Sequence, residues 1–179
     1  PDNDVVLFCD GYDVFINDRI EEFAARYLSF KKKVVFAAEQ TCWPDDTLAE
    51  SMEQLTLEQH GGYDTPYKYL NSGVFMGRVS ELKRIVGTKI KNDGDDQLYY
   101  QKKWLSEKYD MIIDTDNYMF QCHEQEVRKG DNGMLYNPRT QCYNLLYHGN
   151  GGDEAKTKFN ELYSSLYASS SPIVYIPTH

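Results

Sequence analysis

Two aspartates follow directly on an apolar run near the start of the chain. Asp10 and Asp13 belong to an Asp-Gly-Tyr-Asp motif, and residues 5–9 before it are all apolar. A buried strand that ends in two carboxylates points them into the crevice where α/β folds bind ligands, and such a pair can hold a hard divalent cation. Aspartate and glycine are also common where a strand meets a turn. The motif alone therefore leaves metal binding and a structural turn equally open.

A second cluster holds three aspartates within four residues, at Asp93, Asp95 and Asp96. One aspartate is enough to cap a helix and to interact with the positive end of its dipole. Further carboxylates repel one another unless a cation or a cationic transition state offsets the repulsion. Helix capping is the favoured interpretation of this cluster by itself, while its excess charge indicates a catalytic carboxylate that faces a sugar.

A third polar group, His148, stands between the apolar residues 145–147 and a glycine-rich turn that contains Asn150 and Gly151. A lone histidine is more often a structural residue with satisfied hydrogen bonds. In a glycine-rich turn, however, the backbone can approach a ligand closely, and its amides can meet phosphate oxygens. A neutral imidazole suits Mn²⁺ better than Mg²⁺, which prefers oxygen ligands. The functional interpretation of this turn is therefore a metal and diphosphate site.

The order of apolar and polar segments predicts an α/β fold that positions these three clusters. Residues 5–9 and 34–38 predict strands buried on both faces, as in a parallel sheet, and the apolar spacing from Ile20 to Leu28 predicts a helix between them. Further strands are predicted at 74–77, 111–113 and 145–147, and further helices at 48–57, 80–90, 95–108 and from Asp153 onward. Because each polar cluster follows an apolar run, we expect all three to line one crevice.

The composition limits the classes of partner. The 179 residues include 19 Lys and Arg against 28 Asp and Glu, and the formal net charge of −9 argues against nucleic acid. No apolar run approaches the ~20 residues that cross a bilayer, so no membrane span is predicted. The four cysteines have no Cys-x-x-Cys spacing, which argues against a structural zinc site.

Five segments together resemble the glycosyltransferase domain of the procollagen lysyl hydroxylase/glycosyltransferase family. In family order they are residues 10–14, residues 38–39 with 42–44, residues 69–73, residues 95–98 with Tyr100, and residues 148–151. Each segment is weak alone, but five in the right order are specific. The resemblance implies a GT-A-like, Rossmann-type mixed sheet flanked by helices, with the glycosyltransferase domain over residues 1–168 and a tail at 169–179. It also implies that part of the family's N-terminal nucleotide-binding portion is lacking here.

The resemblance further implies a Mn²⁺-dependent enzyme that moves glucose or galactose from a UDP-sugar to collagen hydroxylysine or galactosyl-hydroxylysine. Asp10, Asp13 and His148 would bind the metal, and Asp95 and Asp96 would face the transferred sugar. The residues implied for donor or substrate binding are Trp43, Asn71, Ser72, Gly73, Asn150 and Gly151. Family members work in the secretory pathway, so the resemblance suggests the lumen of the endoplasmic reticulum.

The sequence departs from the family pattern at three places and leaves other functions open. Gly152 replaces the usual proline, Asn92 and Gly94 interrupt the acidic run, and Val74 replaces a second glycine. The first two differences concern the choice of sugar or acceptor. A UDP-sugar hydrolase, a transferase with a non-collagen acceptor and a non-catalytic binding module are the alternatives. The division of roles between Asp95 and Asp96, the stereochemical outcome and the oligomeric state also stay open.

Overall fold

The computed structural model describes residues 2–87 and 94–167. Asp93, the end of the helix predicted at 80–90 and the predicted tail at 169–179 lie outside these residues. The helices are α1 (Ile20–Ser29), α2 (Ala49–Gln59), α3 (Val79–Val86), α4 (Asp96–Leu105) and α5 (Asp153–Tyr167). The strands are β1 (Val5–Cys9), β2 (Val14–Ile16), β3 (Val34–Glu39), β4 (Tyr69–Arg78), β5 (Met111–Asp114), β6 (Phe120–Cys122), β7 (Arg128–Lys129), β8 (Leu135–Asn137), β9 (Cys142–Asn144) and β10 (Leu146–His148).

The central sheet has the strand order β1-β4-β3-β5. Strand β4 is antiparallel to both of its neighbours, and β3 is parallel to β5. All six residues of β3 are buried, because α2 and α4 cover one face of the strand and α1 covers the other together with β6 and β10. Val35 and Ala37 pack in the cluster that contains α1, while Phe36 and Ala38 pack in the cluster that contains α2 and α4. The predicted mixed α/β sheet flanked by helices is confirmed.

Strand β1 differs from the sequence prediction. The apolar run predicts a strand buried on both faces of a parallel sheet, but β1 pairs antiparallel with β4, and Val6 and Phe8 remain 43% and 41% exposed. The reason is that β4 lies between β1 and β3 and pairs with each of them. An apolar run indicates that a segment can form a strand. The position of that strand in the sheet depends on its pairing with residues about seventy positions away.

Strand β4 is longer than predicted and contains an irregularity at the site. The sequence predicts a strand at 74–77, whereas residues 71–73 also belong to β4. The pairing with β3 shifts there, because Phe36 lies opposite Phe75 while Ala37 lies opposite Asn71. The extra residues of β4 form a bulge, a feature that redirects side chains and is frequent beside active sites.

A second sheet, with the order β2-β10-β6, supplies the other wall of the site. Strand β10 is antiparallel to β2 and parallel to β6, so His148 lies opposite Val14 on one side and Cys122 on the other. Helix α5 supports this sheet through Leu162, which packs with Phe15 and Tyr147. None of the helices in residues 2–87 and 94–167 is long and apolar enough to cross a membrane.

Candidate active site

Three predicted metal ligands converge where the two sheets meet. Asp10 follows β1, Asp13 precedes β2, and His148 is the last residue of β10. The Nε2 atom of His148 lies 3.4 Å from Oδ2 of Asp10 and 3.6 Å from Oδ1 of Asp13. Backbone hydrogen bonds hold the two loops, from the Asp10 amide to the Gly73 carbonyl and from the Gly149 amide to the Asp13 carbonyl, each 2.8 Å long. One ligand atom from each of the three residues lies within 4.8 Å of the others.

The hydrogen bonds of Asn71 determine which nitrogen of His148 faces the carboxylates. The Gly73 amide donates to Oδ1 of Asn71 over 3.0 Å, so this atom is the acceptor end of the amide. The Nδ1 atom of His148 lies 3.1 Å from the same oxygen and must therefore carry the proton. A lone pair remains on Nε2, which points at two carboxylates. A hydrogen bond of this kind from the distal nitrogen is the usual arrangement for a metal-binding histidine.

The charges of this group fit a divalent cation. Burial lowers the pKa of His148, against the opposing effect of Asp13 and Asp10. Burial raises the pKa of Asp10, and the charges of Asp13 and Asp96 act in the same direction. A neutral imidazole and two carboxylates that repel one another are stabilised together by a cation. Mixed nitrogen and oxygen ligands of this kind occur in sites for divalent transition metals.

The lack of a side chain at Gly73 leaves the space in which Asp10, Asp13 and His148 converge. A Cβ atom at this position would lie 2.1 Å from Cε1 of His148 and 2.7 Å from Oδ2 of Asp10. Both distances are far below van der Waals contact, so any side chain would displace a predicted ligand. The Asn-Ser-Gly segment therefore shapes the site through the absence of a side chain at its third residue.

The two aspartates at the start of α4 have different surroundings. Asp95 is the N-cap of α4, and its Oδ1 accepts a hydrogen bond of 2.9 Å from the Leu98 amide. Asp96 lines the cleft instead, where its Oδ2 accepts a hydrogen bond of 3.2 Å from the Ser72 hydroxyl. The structure thus brings Asp96 to the metal-ligand cluster, while Asp95 has the capping role that the sequence analysis favours for a single aspartate.

Glu39 is a central residue of the cleft that is not among the site residues predicted from the sequence. It is 8% exposed, and its Oε1 accepts hydrogen bonds from Asn71 at 3.2 Å and from Gln97 at 2.8 Å. Its Oε2 accepts a hydrogen bond of 2.9 Å from Asn150. Burial raises the pKa of Glu39 to about 7, although the three amide donors act in the opposite direction. A carboxylate at the end of a wholly apolar strand was the signal that could have identified it.

Trp43 forms an aromatic part of the cleft wall. Its side chain is 56% exposed, while its backbone carbonyl accepts hydrogen bonds from Gln97 at 2.7 Å and Gln101 at 2.8 Å. Gln97 also accepts a hydrogen bond of 3.2 Å from the Ser72 amide. The glutamines of α4 therefore connect the loop that carries Trp43 to the bulge in β4.

The cleft encloses about 620 Å³. Of the sequence-predicted site residues, all except Asp95 line it. Five lining residues were not among the predicted ones: Glu39, Gln40, Thr41, Gln97 and His123. The cleft combines three possible metal ligands, further carboxylates and an exposed aromatic ring.

Comparisons with known proteins point to the same family as the sequence motifs. The model of the PLOD GT domain matches residues 1–171. An uncharacterized protein, R699, of Acanthamoeba polyphaga mimivirus is 33% identical over 156 residues, which are 84% of this chain and 32% of that protein. The human multifunctional procollagen lysine hydroxylase and glycosyltransferase LH3 is 30% identical over 158 residues, 82% of this chain and 20% of that protein. The chain thus spans about a fifth to a third of the length of these relatives, and it belongs to the PLOD GT domain family of glycosyltransferases.

Proposed function

We propose that the chain is a Mn²⁺-dependent hexosyltransferase that uses a UDP-sugar. It would transfer glucose or galactose to hydroxylysine or galactosyl-hydroxylysine of a collagen-type acceptor. The observation that carries the proposal is the convergence of Asp10, Asp13 and His148 in one cleft with Asp96. The choice of acceptor has separate support from the name of the human relative, a procollagen lysine hydroxylase and glycosyltransferase.

Asp10, Asp13 and His148 would hold Mn²⁺ beside the diphosphate. Mn²⁺, when bound, would act as a Lewis acid that stabilises the negative charge of the departing UDP. The hydrogen bond from Nδ1 of His148 to Asn71 holds the imidazole so that Nε2 can serve as a ligand. The amides of the turn that contains Gly151 would approach phosphate oxygens.

Asp96 would act on the transferred sugar. The anomeric carbon gains oxocarbenium character as its bond to the diphosphate breaks, and a nearby carboxylate stabilises that charge. A carboxylate in this position can also take the proton from the acceptor hydroxyl. The hydrogen bond from Ser72 fixes one oxygen of Asp96. Trp43 would offer its ring to the sugar or the acceptor.

A transfer assay tests the proposal. The chain is incubated with Mn²⁺, UDP-glucose or UDP-galactose, and a peptide that contains hydroxylysine or galactosyl-hydroxylysine. We expect one hexose to be added to a peptide, measured by mass spectrometry, together with an equal amount of UDP. Equal release of UDP and free sugar without acceptor would favour a hydrolase. Absence of both turnover and UDP binding would favour a non-catalytic module.

A further inference from the structure

The side chain of Gln97 connects three separate parts of the cleft wall. Gln97 is the second residue of α4 and lines the cleft, although it is only 6% exposed. Its amide group contacts Glu39 at the end of β3, the loop that carries Trp43, and the bulge of β4 at Ser72. The residue directly after Asp96 is therefore bonded to the elements that surround that carboxylate.

The partners of Gln97 determine which end of its amide faces each of them. A backbone amide can only donate, so the atom 3.2 Å from the Ser72 nitrogen is the side-chain oxygen of Gln97. The nitrogen of Gln97 then donates to Oε1 of Glu39 over 2.8 Å and to the Trp43 carbonyl over 2.7 Å. Since both hydrogens of this nitrogen are in use, Gln97 has none left to donate to a ligand. It can act on a reaction only through its partners.

One of these partners leads to the proposed catalytic carboxylate. The Ser72 amide donates to Gln97, and the Ser72 hydroxyl donates to Oδ2 of Asp96 over 3.2 Å. Ser72 is thus held by two successive residues of α4. A shift of Ser72 would also move or release the carboxylate of Asp96, because the same residue makes both hydrogen bonds.

Gln101 shows what α4 needs in order to hold the Trp43 loop. It lies one turn further along the helix and is fully buried. Its nitrogen donates to the backbone carbonyls of Trp43 at 2.8 Å and Leu70 at 3.1 Å. Its oxygen has no hydrogen-bond partner within residues 2–87 and 94–167. The further contacts of Gln97 with Glu39 and Ser72 therefore go beyond fixing this loop.

We infer that Gln97 is a positioning residue for sugar transfer. It keeps the cleft wall formed by Glu39 and the Trp43 loop at a fixed distance from Asp96. This inference rests on the proposed function, in which Asp96 acts on the transferred sugar. The hydrogen-bond partners of Gln97 lie outside the predicted metal-ligand cluster, so we expect Gln97 to affect transfer and not the binding of Mn²⁺ and UDP.

Transfer kinetics and calorimetry of UDP with Mn²⁺ test this role in Gln97→Met, which removes the amide and keeps an unbranched side chain. Glu39 keeps its hydrogen bond from Asn71 in this variant. The Trp43 carbonyl keeps the one from Gln101, so the wall stays folded. We expect kcat to fall about 10- to 100-fold, the range for a misplaced reacting group, while the Kd for UDP stays within about twofold of wild type.

Gln101→Met is the comparison on the same helix. It removes a hydrogen bond to the Trp43 carbonyl but leaves the contacts of Gln97 with Glu39 and Ser72 in place. We expect its kcat to fall clearly less than that of Gln97→Met, and thermal melts report the stability of both variants. Equal losses of kcat would assign the effect to the Trp43 loop alone and would overturn the inference.

Gln97→Glu supplies a readout that a purely structural role would not change. An ionised glutamate can still accept from the Ser72 amide but cannot donate to Glu39, whereas a protonated one can donate a single hydrogen bond. Two facing carboxyl groups favour one shared proton. We therefore expect turnover relative to wild type to be at least about threefold higher at pH 6 than at pH 8 in Gln97→Glu, and to be unchanged between them in Gln97→Met.

The other titratable side chains that line the cleft are Asp10, Asp13, Asp96, His123 and His148. All the compared chains share them, so their contributions cancel in these ratios. A kcat of Gln97→Met close to the wild-type value, an equal loss of UDP binding and turnover, or a pH-independent ratio for Gln97→Glu would each overturn the inference. If the wild type itself transfers no hexose to the acceptor peptides, the proposed function fails, and this result differs from the others.

Discussion

The side-chain oxygen of Asn71 lies 3.1 Å from Nδ1 of His148 and leaves the Nε2 lone pair directed at Asp10 and Asp13. Asn71 is 4% exposed and comes from the bulged part of β4, whereas His148 ends a strand of the second sheet. This single contact therefore joins the two sheets at the point where a cation would bind. Its removal affects the imidazole orientation without removing a ligand.

We expect Asn71→Ala to weaken Mn²⁺ binding about 10- to 100-fold, the range found when a residue that orients a metal ligand is lost. The imidazole would then be free to rotate or to change its tautomer. Ser72→Ala is the matched control, because the Ser72 hydroxyl bonds Asp96 and not the imidazole. Titration of Mn²⁺ followed by electron paramagnetic resonance measures both affinities. Equal affinity in the two variants would contradict this role for Asn71.

Gly73→Ala should abolish Mn²⁺-dependent UDP binding. The added Cβ would meet the His148 ring at 2.1 Å, so the ring or the Asp10 loop would have to move. Overpacking of this kind costs about 1–3 kcal/mol of stability, which a thermal melt detects. Gly152→Ala is the control, since a Cβ there has no heavy atom within 4 Å. Retained binding in Gly73→Ala would mean that the three ligands do not converge at this glycine.

Asp95→Ala and Asp96→Asn should separate stability from catalysis. Asp95→Ala removes the cap of α4 and should lower the free energy of unfolding by about 1 kcal/mol. Asp96→Asn should bind Mn²⁺ and UDP as the wild type does, while sugar transfer falls to the limit of detection. Denaturant unfolding and the transfer assay measure the two effects. Turnover close to the wild-type rate in Asp96→Asn would remove this carboxylate from the mechanism.

Glu39 should make the stability of the chain depend on pH. Burial raises its pKa from 4.5 to about 7, so the folded chain holds its proton between these values while the unfolded chain has lost it. The stabilising contribution is therefore present below pH 4.5 and is lost as the pH rises through 7. The difference corresponds to about 3 kcal/mol at most.

Denaturant unfolding at pH 5 and pH 8 tests this expectation, with Glu39→Gln as the comparison because it does not titrate. We expect the wild type to lose more stability than Glu39→Gln over this interval. All other titrating groups are common to both chains, so their contributions cancel in the difference. The same pH dependence in both chains would show that Glu39 does not exchange its proton in this range.

The sequence predicted the fold where the signal is local. The apolar spacing from Ile20 to Leu28 predicts α1 because one helical face packs on the sheet, and the apolar run at 34–38 predicts β3 because both its faces are covered. The pairing of β1 with β4 was not predictable in this way. It depends on hydrogen bonds between segments distant in the chain, and an edge strand can have the same apolar residues as a central one.

The candidate site was predictable where several polar residues occur together. Asp10, Asp13 and His148 belong to short polar motifs. The order of these motifs along the chain matches the family, and the resemblance implied the other site residues. Glu39 lies in a family segment and His123 in a polar stretch, but both stand at strand ends, a position that also fits an ordinary turn. Their surroundings come from Asn71, Gln97, Asn150 and Tyr147, which lie on other elements. Only the folded structure brings these partners together.

Calorimetric titration of UDP into the chain, with and without Mn²⁺, tests the proposed metal site most directly. We expect binding that requires Mn²⁺ and is lost in both Asp13→Ala and His148→Ala. The control Gly152→Ala, which adds a methyl group in open space, should bind as the wild type does. UDP binding of equal affinity with and without Mn²⁺, or binding that survives in His148→Ala, would contradict a metal site formed by Asp10, Asp13 and His148.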